Sequence, residues 1–153
     1  MLRVLLLLLV VAAAPHAQTA APAATPSSDL AQIERVLGLY MAGHATGVLD
    51  HFREAFHPDA LMFSSGDGEV RRTELRTWWE TADGQPKPDG TPADDEAERH
   101  RRVVSIDVSG PVATAKLELD YPGVLLHDYM TLVKASGRWQ IVNKSFAVHP
   151  KGD

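Results

Sequence analysis

Beyond Ala97 the apolar residues of this chain stop recurring every three or four positions and begin to alternate. A period near 3.6 means helix and a period of 2 means half-buried strand, so helices come first and strands last. Ile33, Val36, Leu37, Tyr40 and Met41 form one helical stripe, with Asp29 and Gln32 as a capping box and Gly43 as the stop. Gly47 marks a break before a short second helix carrying Val48, Leu49, Phe52 and Phe56. His57-Pro58-Asp59 reads as a turn, 60–65 as a strand, Gly66-Asp67-Gly68 as a tight turn and 69–72 as its partner strand. Thr73 caps a third helix with Leu75, Trp78 and Trp79 on one side, and 83–97, rich in Gly, Pro and Asp, reads as a mobile loop. Four strands follow, 99–108, 112–120, 124–134 and 138–148, with turns at Ser109-Gly110, Pro122-Gly123 and Ser136-Gly137. Helices segregated from an antiparallel meander mean an α+β fold. The expected architecture is a cone-shaped roll, three N-terminal helices against a strongly curved antiparallel sheet.

The chain has 153 residues, room for one domain. Its net charge of -5 argues against nucleic acid as a partner, because a phosphate binder needs a basic face. Cysteine is absent, which removes disulfides, thiolate metal sites and cysteine nucleophiles together. Met1-Leu2-Arg3 followed by an unbroken apolar run over 4–14 reads as a signal peptide, 1–17, cut after Ala17 or Ala20. Residues 18–28 read as a flexible leader and 29–149 as the domain. No later segment is apolar enough to cross a membrane, so the expected location is periplasmic or secreted, with no membrane partner after signal removal.

Three stretches carry a resemblance: Leu39-Tyr40-Met41-Ala42-Gly43; Phe56-His57-Pro58-Asp59-Ala60; and Asp128-Tyr129-Met130-Thr131-Leu132-Val133-Lys134 with Gly137-Arg138-Trp139-Gln140-Ile141-Val142-Asn143-Lys144-Ser145-Phe146. The chain resembles the nuclear transport factor 2-like superfamily, the fold of ketosteroid isomerase and SnoaL-like cyclases. It is most similar there to the exported group labelled "putative lumazine-binding". In ketosteroid isomerase a Tyr on the first helix and a late Asp form an oxyanion hole, and a second Asp removes the proton. Tyr40 and Asp128 fall where the first two would lie, whereas the base position falls near Ser64, flanked by Phe63 and Ser65. A serine hydroxyl does not abstract a carbon-bound proton at neutral pH unaided.

A two-residue turn at Ser136-Gly137 predicts Leu132 opposite Ile141, Met130 opposite Asn143, Asp128 opposite Ser145 and Leu126 opposite Ala147, all on the concave face. The turn at Ser109-Gly110 adds Val104, Ile106, Ala113, Ala115, Leu117 and Leu119, with His100 and Arg102 extending the row. The predicted ligand-contacting set is Tyr40, Asp128, Asn143, Ser145, Met130, Arg102 and Trp78, the last at the mouth. Asp128 is the most informative, since a buried carboxylate must be bonded or neutralised. No histidines pair at metal-ligand spacing, and no metal or cofactor is expected.

The leading reading is an exported, non-catalytic domain holding a small, partly apolar ligand. The alternative is an isomerase- or cyclase-type enzyme using Asp128 as acid or base with Tyr40. The opposite face predicts Tyr129, Val142, Phe146 and Val148 as an apolar patch, and with it a homodimer.

Overall fold

The computed structural model describes residues 28–66, 68–76 and 90–152. The expected signal peptide, most of the leader, Trp78, Trp79 and much of the 83–97 loop lie outside the described residues.

Helix α1 spans Asp29–Thr46 and buries Ile33, Val36, Leu37 and Tyr40, the expected stripe. Its cap is Ser28, whose side chain accepts from the Ala31 N–H at 3.2 Å, and not Asp29. Asp29 serves the sheet instead: its Oδ1 accepts from Trp139 Nε1 at 3.1 Å and from Lys134 Nζ. Gly43 does not end the helix. A Cβ there would stand 2.8 Å from the Phe52 ring, so Gly43 lets helix α2, Leu49–Ala55, pack close. The stop is Gly47, at φ 73°, whose N–H reaches Gly43 O.

Strand β1 (Phe56–Gly66) pairs with β2 (Glu69–Glu74) and then, in parallel, with β6 (Arg138–Pro150). The expected turn at His57-Pro58-Asp59 is an irregular stretch inside β1, where the β6 register shifts between Phe56 and Leu61. Proline brings no N–H to a ladder, which suits it to such a break. β3 (His100–Ser109), β4 (Val112–Tyr121) and β5 (Val124–Ala135) complete one sheet in the order β2-β1-β6-β5-β4-β3. A short 3-10 turn, Glu96–Glu98, leads into β3. The architecture is α+β. Two α-helices, not three, pack on it among the described residues; of the expected third, Leu75 and Arg76 are helical and the rest lies outside them, while Thr73 belongs to β2. The sheet is open-edged and not strongly curled.

The Ser136-Gly137 turn has both residues at positive φ, 50° and 77°, the geometry that matches the twist of a two-residue hairpin. Ala135 accordingly pairs with Arg138 and Leu132 with Ile141, as expected. The next pair is Thr131 with Asn143, so Val142 is an extra residue, a bulge. Every later residue of β6 changes face. Met130 pairs with Lys144, Asp128 with Phe146 and Leu126 with Val148, in place of the expected Asn143, Ser145 and Ala147. A second bulge at Val104, between Val103 and Ser105, does the same in β3, and the β3–β4 turn is Gly110-Pro111. Arg101 and Val103 therefore lie on the helix side, and Arg102 on the other. Phe146 packs against the core, which takes it out of the expected outer patch; Tyr129 and Val148 stay half-exposed.

Candidate functional site

Tyr40 stands at the centre of the helix–sheet interface, 1% exposed. Its ring meets His44, Phe52 and Phe56 edge-on, with centroids 4.7, 6.0 and 5.7 Å away. Its hydroxyl donates to Asp128 Oδ2 and accepts from Lys144 Nζ at 2.7 Å. Lys144 Nζ is also 3.2 Å from Asp128 Oδ2, which closes a triangle of phenol, carboxylate and ammonium. Asp128 and Lys144 are 0% and 5% exposed. Asp128 Oδ1 is buried and has no hydrogen-bond partner among the described residues.

The interior sets the protonation of these groups. Burial, reinforced by the Asp128 charge and hydrogen bond, holds the Tyr40 phenol well above its usual pKa, so it is a proton donor at neutral pH. Burial pushes the Lys144 ammonium down, against the pull of Asp128. His44 is lowered well below 6.5 by burial first and then by the charges of Lys144, Arg101 and Arg99, so it is neutral.

A second polar group adjoins the first. Arg101 donates through Nε to the Tyr121 hydroxyl at 2.8 Å and through both Nη atoms to Glu96, at 2.6 and 2.9 Å. The guanidiniums of Arg99 and Arg101 lie 4.5 and 4.9 Å from the Tyr121 ring centre. Arg101 acts electrostatically on Tyr40, and Asp128 on Tyr121, so the two groups share one field.

The bulges decide which expected residues meet here. Tyr40, Asp128 and Met130 lie inside, and Ser64 shares a face with Met62, whose register partner is Lys144. Asn143 and Ser145 do not join them: beyond Val142 they pair with Leu61, Phe63, Thr131 and Tyr129 on the outer face. Arg102 is outside too, its Nε and Nη2 held by Glu118 at 2.8 and 2.9 Å. Their places are taken by Lys144 and Arg101, with His44 and Tyr121. The sequence carries a signal for Lys144: the apolar residues of β6 sit at odd positions through Ile141 and at even ones from Phe146, and such a switch of phase needs a bulge between them. No group of His, Cys, Asp and Glu among the described residues could hold a metal ion, and no described helix is long and apolar enough to cross a membrane.

Residues 28–147 match the model of the family described as "Putative lumazine-binding". The chain belongs to this family. Its similarity to solved structures supports the same fold. A nuclear transport factor 2-like protein of unknown function from Shewanella baltica OS155 aligns with TM-score 0.66 at 24% identity, covering 80% of this chain and 95% of that one. Another, from Methylobacillus flagellatus KT, aligns with TM-score 0.62 at 28% identity, covering 79% and 92%. A curated relative, aldolase FrzH from Cladobotryum sp, is 25% identical over 112 residues, 73% of this chain and 85% of its own. Tyr40, Asp128 and Lys144, the three residues of the triangle, all lie inside the matched span.

Proposed function

We propose that this lumazine-binding family member is an exported domain that holds a small, partly apolar molecule beside Asp128 without transforming it. The supporting observation is Asp128 Oδ1, a buried carboxylate oxygen with no partner among the described residues. An unmet buried acceptor costs about 1–3 kcal/mol, more when charged, and a ligand N–H or O–H relieves that cost. Lys144 and Tyr40 hold the other oxygen, fixing the direction in which the free one accepts. Apolar Met62 and Met130 share that face and suit the apolar part of the ligand. A native mass spectrum of protein recovered from the periplasm tests this: a bound small molecule, lost in Asp128→Leu, is expected, and empty protein throughout would refute it. An amino terminus at Gln18 or Ala21 is the expected mark of export.

A second reading is favoured by one comparison. The relative named as an aldolase points to an enzyme acting on carbonyl compounds, of isomerase, cyclase or aldol type, with Asp128 and Tyr40 as acid and base. Homodimer formation through the outer sheet face completes the proposal. Tyr129, 51% exposed, and the half-exposed Val112 give that face its apolar character now that Phe146 is inside. Sedimentation as a dimer, reverted by Tyr129→Lys, is the expected result.

A further inference from the structure

Lys144 is more than a counter-ion for Asp128. A buried ion pair of this kind is often no more stable than an apolar pair of the same size, so its presence in the core points to a task other than stability. Its amine is 3.2 Å from Asp128 Oδ2 and 2.7 Å from the Tyr40 hydroxyl. A ligand atom bonded to the unpartnered Oδ1 lies within about 3 Å of that oxygen, on the same carboxylate whose other oxygen meets the Lys144 amine. An amine, an acceptor for its proton, a phenol and an unpartnered carboxylate oxygen thus converge at one buried point.

We propose that Lys144 is the nucleophile of this site and takes the carbonyl group of a small aldehyde or ketone as an imine, with Asp128 and Tyr40 moving the protons. The inference rests on the reading that a small molecule occupies the space beside Asp128 and departs from it in one respect, making the hold a reversible covalent bond. The ammonium first gives a proton to Asp128 Oδ2. Burial assists this step, because it disfavours the charged pair and already lowers the Lys144 pKa. The neutral amine attacks the carbonyl carbon; the C–N bond forms, the C=O π bond opens, and a proton passes from the nitrogen to the oxygen, giving a carbinolamine. The C–O bond then breaks and the hydroxyl leaves as water with the proton that Asp128 took from the ammonium, relayed by the Tyr40 hydroxyl, as the C=N bond forms. Lysine ammonium and carbonyl compound become a protonated imine and water, charge is conserved, and no oxidant or reductant is needed. Lowered-pKa lysines in desolvated sites are suited to this chemistry.

The test is competitive trapping in the unmutated protein. Acetaldehyde and sodium cyanoborohydride are added at neutral pH, and peptide mapping gives the N-ethylation rate at each lysine. Lys144 is expected to react faster than Lys116, Lys134 and Lys151, because its lowered pKa leaves more of the amine unprotonated at neutral pH. That lead should shrink as pH rises toward the ordinary lysine value of about 10.4. Tyr40→Phe should slow Lys144 and leave Lys151 unchanged. Lys144 reacting no faster than the surface lysines overturns the proposal. Native mass spectra of the same preparation separate the two ideas: a bound molecule without trapping removes the imine and keeps the binding site, whereas neither observation removes both.

Discussion

Asp128 and Glu118 are both carboxylates of the β4–β5 ladder, and each is met by a basic side chain from a neighbouring strand. Asp128 faces the helices and meets Lys144 with both side chains almost wholly buried; Glu118 faces outward and meets Arg102, whose side chain is 63% exposed. The outer pair has the better geometry, two parallel N–H···O bonds of 2.8 and 2.9 Å. It nevertheless contributes little, because water and salt screen it. The inner pair has a single shared oxygen and a third partner in Tyr40, and there the low dielectric makes each lost partner expensive. Solvent, not bond geometry, decides which pair matters.

Substitutions that leave one charge behind should expose this difference most. Lys144→Ala leaves Asp128 in the interior with only the Tyr40 hydroxyl, and a loss of about 3–5 kcal/mol in urea denaturation is expected. Lys144→Met combined with Asp128→Leu should recover most of that loss, since the pair is then replaced by apolar volume. Arg101→Ala, which strips the partly buried Glu96 and Tyr121 contacts, should cost about 2 kcal/mol by the same measurement.

Acid sharpens the comparison from another side. His44 is held neutral, with its pKa well below 6.5, so below that pH the unfolded chain binds a proton that the folded protein does not. Stability is therefore full above pH 6.5 and falls as pH drops toward the folded pKa, by up to about 1.4 kcal/mol per pH unit. His44→Phe should flatten that part of the curve. Last, Arg102→Ala should shift the denaturation midpoint no further than repeat measurements scatter, at low salt and high; a loss as large as that of Arg101→Ala would erase the distinction between the faces.

Most of the strands were legible because their turns are chemical punctuation: Pro122-Gly123 and Ser136-Gly137 sit where the sequence puts them. Tyr40 and Asp128 were legible for a different reason, a helical stripe and a carboxylate on an otherwise apolar row. What alternation carried unbroken through a strand misses is a bulge. Nothing in the chemistry of Val142 or Val104 marks either as unpaired, only the phase switch along β6 betrays the first, and each reverses the faces of all that lies beyond it. Asn143 and Ser145 were thereby exchanged for Lys144, and Arg102 for Arg101. The Ser28 cap was missed because Asp29 beside it is an equally good capping residue whose carboxylate is engaged with Trp139 and Lys134, partners more than a hundred positions away.

β6 is the sixth strand in chain order yet lies third in the sheet, between β1 and β5. Both anchors of α1 also depend on it: Tyr40 meets Lys144 and Asp29 meets Trp139, 104 and 110 positions further on. A ribosome releases the helices and five strands before the strand that joins them exists, so β1 and β2 have no sheet to enter and the helix has no Lys144 to grip. Closure comes late and all at once, with the slow kinetics of long-range pairing. Under the proposed export this delay would be useful, because a polypeptide that cannot close early stays threadable until its crossing is done.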